Sequence, residues 1–596
     1  MYLEKFNIIN FRTIKNVTLN FNKGLNVLIG ENNSGKTAII DALRLCIGYG
    51  NFRKDLYIKE SDFHFEKQSI SDSATEIEFH LYFKIEIPQE TAWFIDLLNS
   101  DENGNQDVQL HFRFYIDEKN GIQRVKYKVW GGANEGQLIS PEVLSLLYHV
   151  HLEALRDAEQ YLRPIRGNKL GQLYSNIQID VTSKAADKQK KKEIANRVHA
   201  AVKSDKEWEA HLDKGKTIIN EHLMETSFTE KQHQIDVNFL PYDFNKLVEN
   251  LKIQMPLYSD TLLNADLTKQ KHLELSQNGL GYNNLIYTAT ILGDLKQRKE
   301  LEKESYIALL IEEPEAHLHP QLQNLFFNYL NKLDKELGFQ IFITSHSPTI
   351  TAKSDLTSVI VLQNTLNEIH ALSLNKSGLS PDNRNYLHKF LDVTKSQLFF
   401  SNGVILVEGI SEALLMKLFS KKLGDSYDIE KSGIELVNIN GVAFEHFANL
   451  FNSDEVTKNL QTRCVIITDD DRNVESEEIS SRANTALALE KNNLRVFLAE
   501  RTFEFELFIA GDNKEILLSI FDGIHHIAAS KIESNIEIKI YADNFIKKVE
   551  SNKAKSELAH RLAVKLSTDE EARNKFIVPA YIQNAIKYVV KGESDV

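Results

Sequence analysis

Apolar and polar positions follow different rhythms along this chain, and the changes of rhythm mark its parts. Met1 to Phe21 (MYLEKFNIINFRTIKNVTLNF) predicts two strands with a turn near Thr13-Ile14-Lys15, pairing as an antiparallel hairpin beside the strand that follows. That strand, Leu25 to Ile29, is a short apolar run suited to burial, and Ala38 to Ile47 is apolar at helical spacing. Glu76 to Ile87, Val108 to Ile116 and Arg124 to Trp130 alternate, as half-buried antiparallel strands do. With turns at Asp101–Asn105 and Lys119–Gly121 they predict a β-meander. Tyr148 to Leu152 reads as another short strand. From about Ala158 to Asn264 the pattern turns helical and charged, a helical insertion without sustained heptads. A helix follows over Tyr282 to Leu295, then buried strands at Tyr306 to Ile311 and Gln340 to Thr344.

Lys376 to Asn385 (KSGLSPDNRN) is polar and reads as a linker. Beyond it, Val404–Val407, Ile434–Ile439, Cys464–Ile467 and Leu494–Leu498 are short apolar runs separated by helical stretches. Strands alternating with helices predict a small parallel sheet.

Composition narrows the class. The chain has 596 residues, 42% of them hydrophobic, enough to bury a large core. No apolar run reaches the ~18 residues of a membrane span, and the N-terminal sequence lacks the apolar core of a signal peptide. The two cysteines, Cys46 and Cys464, each lie in an apolar run and are expected as buried thiols, which fits a cytoplasmic location. A net charge of −14 argues against a generic basic nucleic-acid coat, but not against a local groove or an acidic metal site acting on DNA. The cluster Lys188, Lys190, Lys191, Lys192 is explained by phosphate contact or by a solvated helix face, the latter being commoner.

Between the first buried strand and its helix stands Gly30-Glu31-Asn32-Asn33-Ser34-Gly35-Lys36-Thr37, a G-x-x-x-x-G-K-T P-loop. Glycines let backbone N–H groups of Gly30, Asn33, Ser34 and Gly35 turn around phosphate oxygens, and the helix N-terminus adds partial positive charge. Lys36 would reach the β- and γ-phosphates of ATP, and Thr37 would ligate Mg²⁺. Arg12 is placed either to reach nucleotide or simply at the surface. Ser276 and Gly279, in Leu275–Gly281 ahead of a helix, form a second phosphate-binding shape. The strand at 306–311 ends in Glu312-Glu313, a Walker B arrangement: Glu312 to hold Mg²⁺, Glu313 to polarise the attacking water. His346, just past the next strand, is placed to contact a γ-phosphate.

A second chemistry lies downstream. Glu408 ends one predicted strand, Glu412 follows four residues later, and Asp469-x-Asp471 ends another. Carboxylates at the carboxyl ends of parallel strands converge in one crevice. Crowded carboxylates repel unless a cation neutralises them, so Mg²⁺ or Mn²⁺ is the expected occupant.

The order of the first set resembles the ABC-type ATPase heads of recombination and chromosome-maintenance ATPases, over residues 1 to about 365. That resemblance implies that Ser276 and Gly279 are a signature loop, binding ATP held by a second subunit, so a homodimer completes each site. The loop reads Leu-Ser-Gln-Asn-Gly rather than Leu-Ser-Gly-Gly-Gln, and Glu312 stands where Asp is commoner. The second set, with Leu391–Lys395 and Phe400–Gly409 around it, resembles the Toprim domain. A head followed by Toprim resembles the OLD (overcoming lysogenization defect) nuclease family, which includes the Gabija nuclease subunit and retron-associated effectors. The likeness extends to Leu155-Arg156-Asp157-Ala158-Glu159. It implies that Glu504 is a further metal ligand and that Lys555 stabilises charge on the scissile phosphate. Lys553 is a rival for that role, since Ser556 stands where glycine is usual.

The expectation is an α/β protein: ATPase head at 1–157 and 265–385, helical dimerisation insert at 158–264, Toprim at 386–565 and a C-terminal tail at 566–596. Its function is that of an ATP-regulated, metal-dependent DNA endonuclease in anti-phage defence, with Glu313, Lys555, Glu408 and Asp469 catalytic. Members of the family act alone, with a helicase in one branch, or with a reverse transcriptase and its RNA–DNA product in another, and the sequence does not choose between these. A non-catalytic ATP-driven DNA clamp with a vestigial Toprim is the alternative, and topoisomerase-like strand passage a third.

Overall fold

The computed structural model describes the chain except residues 51–55, 66–73, 101–105, 121, 155–157, 227–233, 238–239, 241, 257–271, 302–303, 317, 366–367, 442, 473–477 and 594–596. The turn expected at 101–105 and the 155–157 part of the Leu155–Glu159 motif lie outside the described residues. Two compact units are present. One holds 1–151, 308–315 and 320–596; the other holds 152–307 and 316–319.

The first unit contains three sheets. In the sheet that carries the P-loop, the strand order is Glu368–Ser373, Val359–Thr365, Leu25–Gly30, Gln340–Ser345, Tyr306–Glu312, Leu147–Leu152. Leu25–Gly30 is buried along its whole length and pairs in parallel with Gln340–Ser345 on one side and Val359–Thr365 on the other. A central parallel strand needs this uninterrupted apolar run because both faces are covered.

The N-terminal hairpin forms, Tyr2–Phe11 against Ile14–Asn20, but not beside the P-loop strand as the sequence led us to expect. It belongs to a separate antiparallel sheet, joined through Tyr2–Phe11 to Glu76–Lys84, then Gln106–Lys119, with Ile122–Gly131 and Leu98–Ser100 on the latter. The parallel pairing on both sides of Leu25–Gly30 leaves the hairpin no edge there. Instead the buried side chain of Gln340 clamps the hairpin: Leu3 N–H donates to its Oε1 at 2.8 Å, and its Nε2 donates to Leu3 O at 2.8 Å. Phe6, Phe11, Phe79 and Phe112 fill the inner face, Phe11 and Phe79 meeting edge to face at 5.2 Å.

The third sheet is fully parallel, in the order Ile434–Asn438, Gly403–Val407, Arg463–Asp469, Leu494–Ala499. Helix Ala580–Lys591 buries Ile582, Ala585, Ile586 and Val589 and packs on three of these strands. The described part of the 566–596 stretch, 566–593, therefore does not trail as a tail. Its apolar stripe at helical spacing covers a sheet face that would otherwise meet water.

The expected linker at 376–385 is a second correction. Its latter half is the first turn of helix Pro381–Phe390, with Pro381 at the first position and the Ser380 hydroxyl accepting from Asn383 N–H at 3.1 Å. The 3₁₀ turn Lys395–Phe400 then packs against the P-loop strand, helix Pro348–Lys353 and strand Ile434–Asn438, joining the head to the small parallel sheet.

The second unit is helical. Helix Leu280–Glu300 packs on Ala158–Leu162 and Lys169–Asn176, and Lys184–Lys203 and Lys206–Thr226 follow in sequence. On Lys184–Lys203, Lys190 pairs with Asp180 at 3.0 Å and Lys191 with Asp187 at 2.7 Å. Lys188 and Lys192 are exposed, so this is a solvated face.

Candidate functional sites: a phosphate pocket and a carboxylate cluster

The P-loop joins the buried strand to helix Lys36–Ile47. Two glycines are required by its geometry. Gly30 has φ +153°, and a Cβ there would stand 2.2 Å from Leu362 O. Gly35 has φ +88°, and a Cβ would stand 2.7 Å from Ile369 Cδ1. Asn33 also takes a left-handed conformation, φ 63°. Gly35 caps the helix without a side-chain hydrogen bond, so the first-turn N–H groups are left for a ligand. Lys36 folds back into the loop, donating to Gly30 O at 2.8 Å, Glu31 O at 2.6 Å and Ser34 Oγ at 3.1 Å. Burial lowers its pKa to about 8, against the pull of Glu313, Glu315 and Glu31. Thr37 is exposed beside it. These residues fit a polyphosphate: unmet N–H donors, an ammonium satisfied only by neutral oxygens, and room for a ligand.

The Walker B carboxylates point to different partners. Glu312 accepts from His151 Nε2 at 2.7 Å. Glu313, with φ 42°, lies 3.4 Å from His346 Nε2. A non-glycine residue in this region marks a position held by its surroundings, and Glu313 N–H donates to Thr344 O at 2.9 Å. Burial, then Lys36, lowers the His346 pKa. Glu315 accepts from Ser345 Oγ at 2.8 Å and His346 N–H at 2.9 Å, fixing the loop that carries His346. Arg12 is held by two carboxylates. Its Nη1 is 2.7 Å from Asp41 and its Nε 2.8 Å from Asp62. Ser276 and Gly279, in the second unit, flank the start of helix Leu280–Glu300.

The other site lies at the carboxyl ends of the parallel strands Gly403–Val407 and Arg463–Asp469. Glu408 follows the first and Asp469 ends the second. Gly409 lets the next helix come close, since a Cβ there would meet Glu412 Oε2 at 3.1 Å. Asp469 is half-buried, and its pKa is pushed well up by loss of solvation and then by Glu408, Glu504, Glu412 and Asp471. Glu412 is pushed to about 7 by burial, Glu504 and Glu408. Five carboxylates thus bear on one another.

Among the described residues two cations pair with them. Lys555 Nζ lies 3.4 Å from Glu504 and 3.0 Å from Glu550. Burial pulls its pKa down, but Glu504, Glu550 and Asp469 hold it above the ordinary value. Lys553 is exposed, with φ 55°. Arg482 pairs with both Glu408 and Asp471. Glu408 also accepts from the Thr468 hydroxyl and from Asp469 N–H, the latter at 3.0 Å. Among the described residues no three carboxylates or imidazoles converge on one point as a single ion requires; Glu408 and Asp471 face Arg482 instead. The donor set still fits a hard divalent ion, because five acids against two cations leave negative charge uncompensated in a partly buried crevice.

Sequence reasoning missed His151, Glu315, Thr468 and Arg482. Thr468 and Glu315 carried a signal, standing one residue before Asp469 and two after Glu313; His151 and Arg482 arrive from elsewhere in the chain.

A cleft of about 1160 Å³ runs from the phosphate pocket to the small parallel sheet. Glu31, Asn32 and His346 line one wall; Lys395, Glu435 and Asn438 line the other.

The comparisons with known proteins agree with this division. A family described as AAA ATPase domain matches residues 1–351, and one described as overcoming lysogenization defect protein-like, TOPRIM domain, matches 399–471. The chain is 25% identical to "Endonuclease GajA" of Bacillus cereus (strain HuB5-5), with 99% of each chain covered. It is 23% identical to "OLD nuclease" of Thermus scotoductus, covering 73% of this chain and 78% of that one. "Old nuclease" of Escherichia phage P2 is 26% identical over 39% of each. The chain belongs to the AAA ATPase domain family through its first 351 residues and, with a TOPRIM domain behind them, is an ATPase–TOPRIM chain of the OLD family.

Proposed function

We propose that this chain is a divalent-metal-dependent DNA endonuclease, regulated by ATP at its head and acting in anti-phage defence. The observation that carries the reading is the crowding of Glu408, Glu412, Asp469, Asp471 and Glu504 at the strand ends, with Lys555 beside them. Relatives named endonuclease and nuclease support the same chemistry.

Glu408 and Asp469 would hold a first Mg²⁺ or Mn²⁺, with Asp471, Glu412 or Glu504 completing a second position. When bound, a pair of such ions supplies an activated water and neutralises charge on the leaving oxygen. Lys555 contributes a fixed positive charge where the phosphate becomes most negative. Thr468 and Asp469 N–H orient Glu408 by holding one of its oxygens.

At the head, Gly30, Asn33, Ser34, Gly35, Lys36 and Thr37 would cradle the phosphates of ATP. Glu312 would serve the Mg²⁺, Glu313 the attacking water, and His346 the γ-phosphate. Ser276 and Gly279 would complete the site of a second copy, which makes the working form a homodimer. The cleft supports regulation, since residues of the pocket and the Toprim edge strand share it. The chain acts alone, with a helicase, or with a reverse transcriptase and its RNA–DNA product, and co-purification distinguishes the three.

Incubating the full chain with plasmid DNA and Mg²⁺ or Mn²⁺ tests the reading. Nicked or linear product supports it. Intact plasmid favours an ATP-driven clamp, and relaxed closed circles favour strand passage.

A further inference from the structure

Three arginines stand around the Asp469–Asp471 motif, and they are anchored differently. Arg472 pairs with Asp470, which is fully buried and also accepts from Ser480 N–H at 2.7 Å. Arg501 is held by Asp543 at 2.7 Å, by Arg472 O at 3.1 Å and over the Phe505 ring at 5.1 Å. Both are structural struts with no tie to the five candidate ligands among the contacts described.

Arg482 differs. It projects from the first turn of helix Ser481–Leu487, capped by the Ser480 hydroxyl. Through Ser480 and Asp470 that turn is tied to the acidic motif. One guanidinium nitrogen pairs with Glu408 and the other with Asp471. The remaining Nε is itself buried and has no hydrogen-bond partner, so among the described residues two carboxylates alone hold the group, and the side chain as a whole is 37% exposed. It can leave toward solvent without breaking any other bond.

We propose that Arg482 is the resident counter-ion of the carboxylate cluster: it holds the place of a divalent cation between Glu408 and Asp471 and gives way when that cation enters. The inference rests on the metal-site reading above and goes beyond it by naming what occupies the site beforehand. Without a cation, the cluster would hold its acids together only against their mutual repulsion. A planar fork of N–H donors satisfies two carboxylates at once. A hard divalent ion binds the same oxygens more strongly, while the displaced guanidinium is rehydrated. Arg482 therefore raises the cation concentration at which the cluster loads, keeping the acids ordered but inert below it.

The test is calorimetric titration of Mn²⁺ into the full chain, without nucleotide or DNA. Asp469→Asn identifies the heat belonging to this site. Arg482→Gln is expected to bind Mn²⁺ about tenfold more tightly than wild type, the competition of two partly exposed ion pairs having been removed. Its melting temperature without metal should fall below that of wild type, and saturating Mn²⁺ should close the gap. Arg482→Lys, which keeps the charge but offers a single nitrogen in place of the planar fork, should bind a few-fold more tightly, and it carries the test alone if the glutamine variant does not fold. Asp469-dependent binding of equal or lower affinity in these variants overturns the proposal and leaves the metal site standing. Absence of Asp469-dependent heat in wild type and variants alike overturns the metal reading, and the proposal with it.

Discussion

At the P-loop, backbone N–H groups and one lysine wait for an anion. At the strand ends of the small sheet, five carboxylates crowd together. Each site meanwhile uses a long cationic side chain of its own: Lys36 turns onto Gly30 O, Glu31 O and Ser34 Oγ, and Arg482 turns onto Glu408 and Asp471. The electrostatic consequences are opposite. Lys36 meets mainly neutral oxygens, so burial dominates and its pKa falls to about 8. Arg482 and Lys555 meet an excess of acid, so the remaining strain shows on the acids, with Asp469 pushed well up and Glu412 to about 7. The phosphate pocket is thus built to take up negative charge, the carboxylate cluster to take up positive charge. A change at one should leave the other's binding intact.

The largest separation is expected from Asp469→Ala. DNA nicking should fall on the order of 10³-fold or more, because the most crowded acid is lost. ATP binding, followed with a fluorescent analogue, should match wild type; parallel loss of both would mean the two sites are not independent. Glu313→Gln should lower ATP turnover by about 10²–10³-fold, as removal of a general base does, while retaining nucleotide and trapping the dimer. A variant hydrolysing ATP at the wild-type rate would move the water-polarising role elsewhere. Lys555→Ala should slow nicking by about 10²-fold with little change in Mn²⁺ affinity, since its charge is aimed at the transition state rather than at the ion.

The smallest effect is a pH dependence. Below pH 8 Lys36 is charged in the empty and the filled pocket alike, so ATP affinity should be flat. Above pH 8 the empty pocket holds a neutral amine, and phosphate must draw a proton onto it. Affinity should then fall by up to about tenfold per pH unit. Titrations between pH 7 and pH 9.5 would show the break, and Lys36→Arg should remove it, because a guanidinium stays charged throughout.

What the sequence determined was whatever depends on neighbours along the chain. The P-loop is eight consecutive residues between a strand and a helix, so its spacing and its chemistry are one signal. Glu408, Asp469 and Asp471 were legible because strand ends in a parallel sheet lie on one side, which brings acids at those ends together whatever lies between. The tertiary structure decided what comes from a distance. The N-terminal hairpin was predictable as a hairpin but not as a member of the antiparallel sheet, because an alternating pattern fixes which face is buried and not which strand lies alongside. Gln340, 337 residues from Leu3, closes that join. Arg482 sits 74 residues beyond Glu408 on a short polar helix, and nothing in its local pattern distinguishes it from a surface arginine. Only the fold, by tying Ser480 to the buried Asp470, brings its guanidinium onto two of the acids the sequence had already singled out.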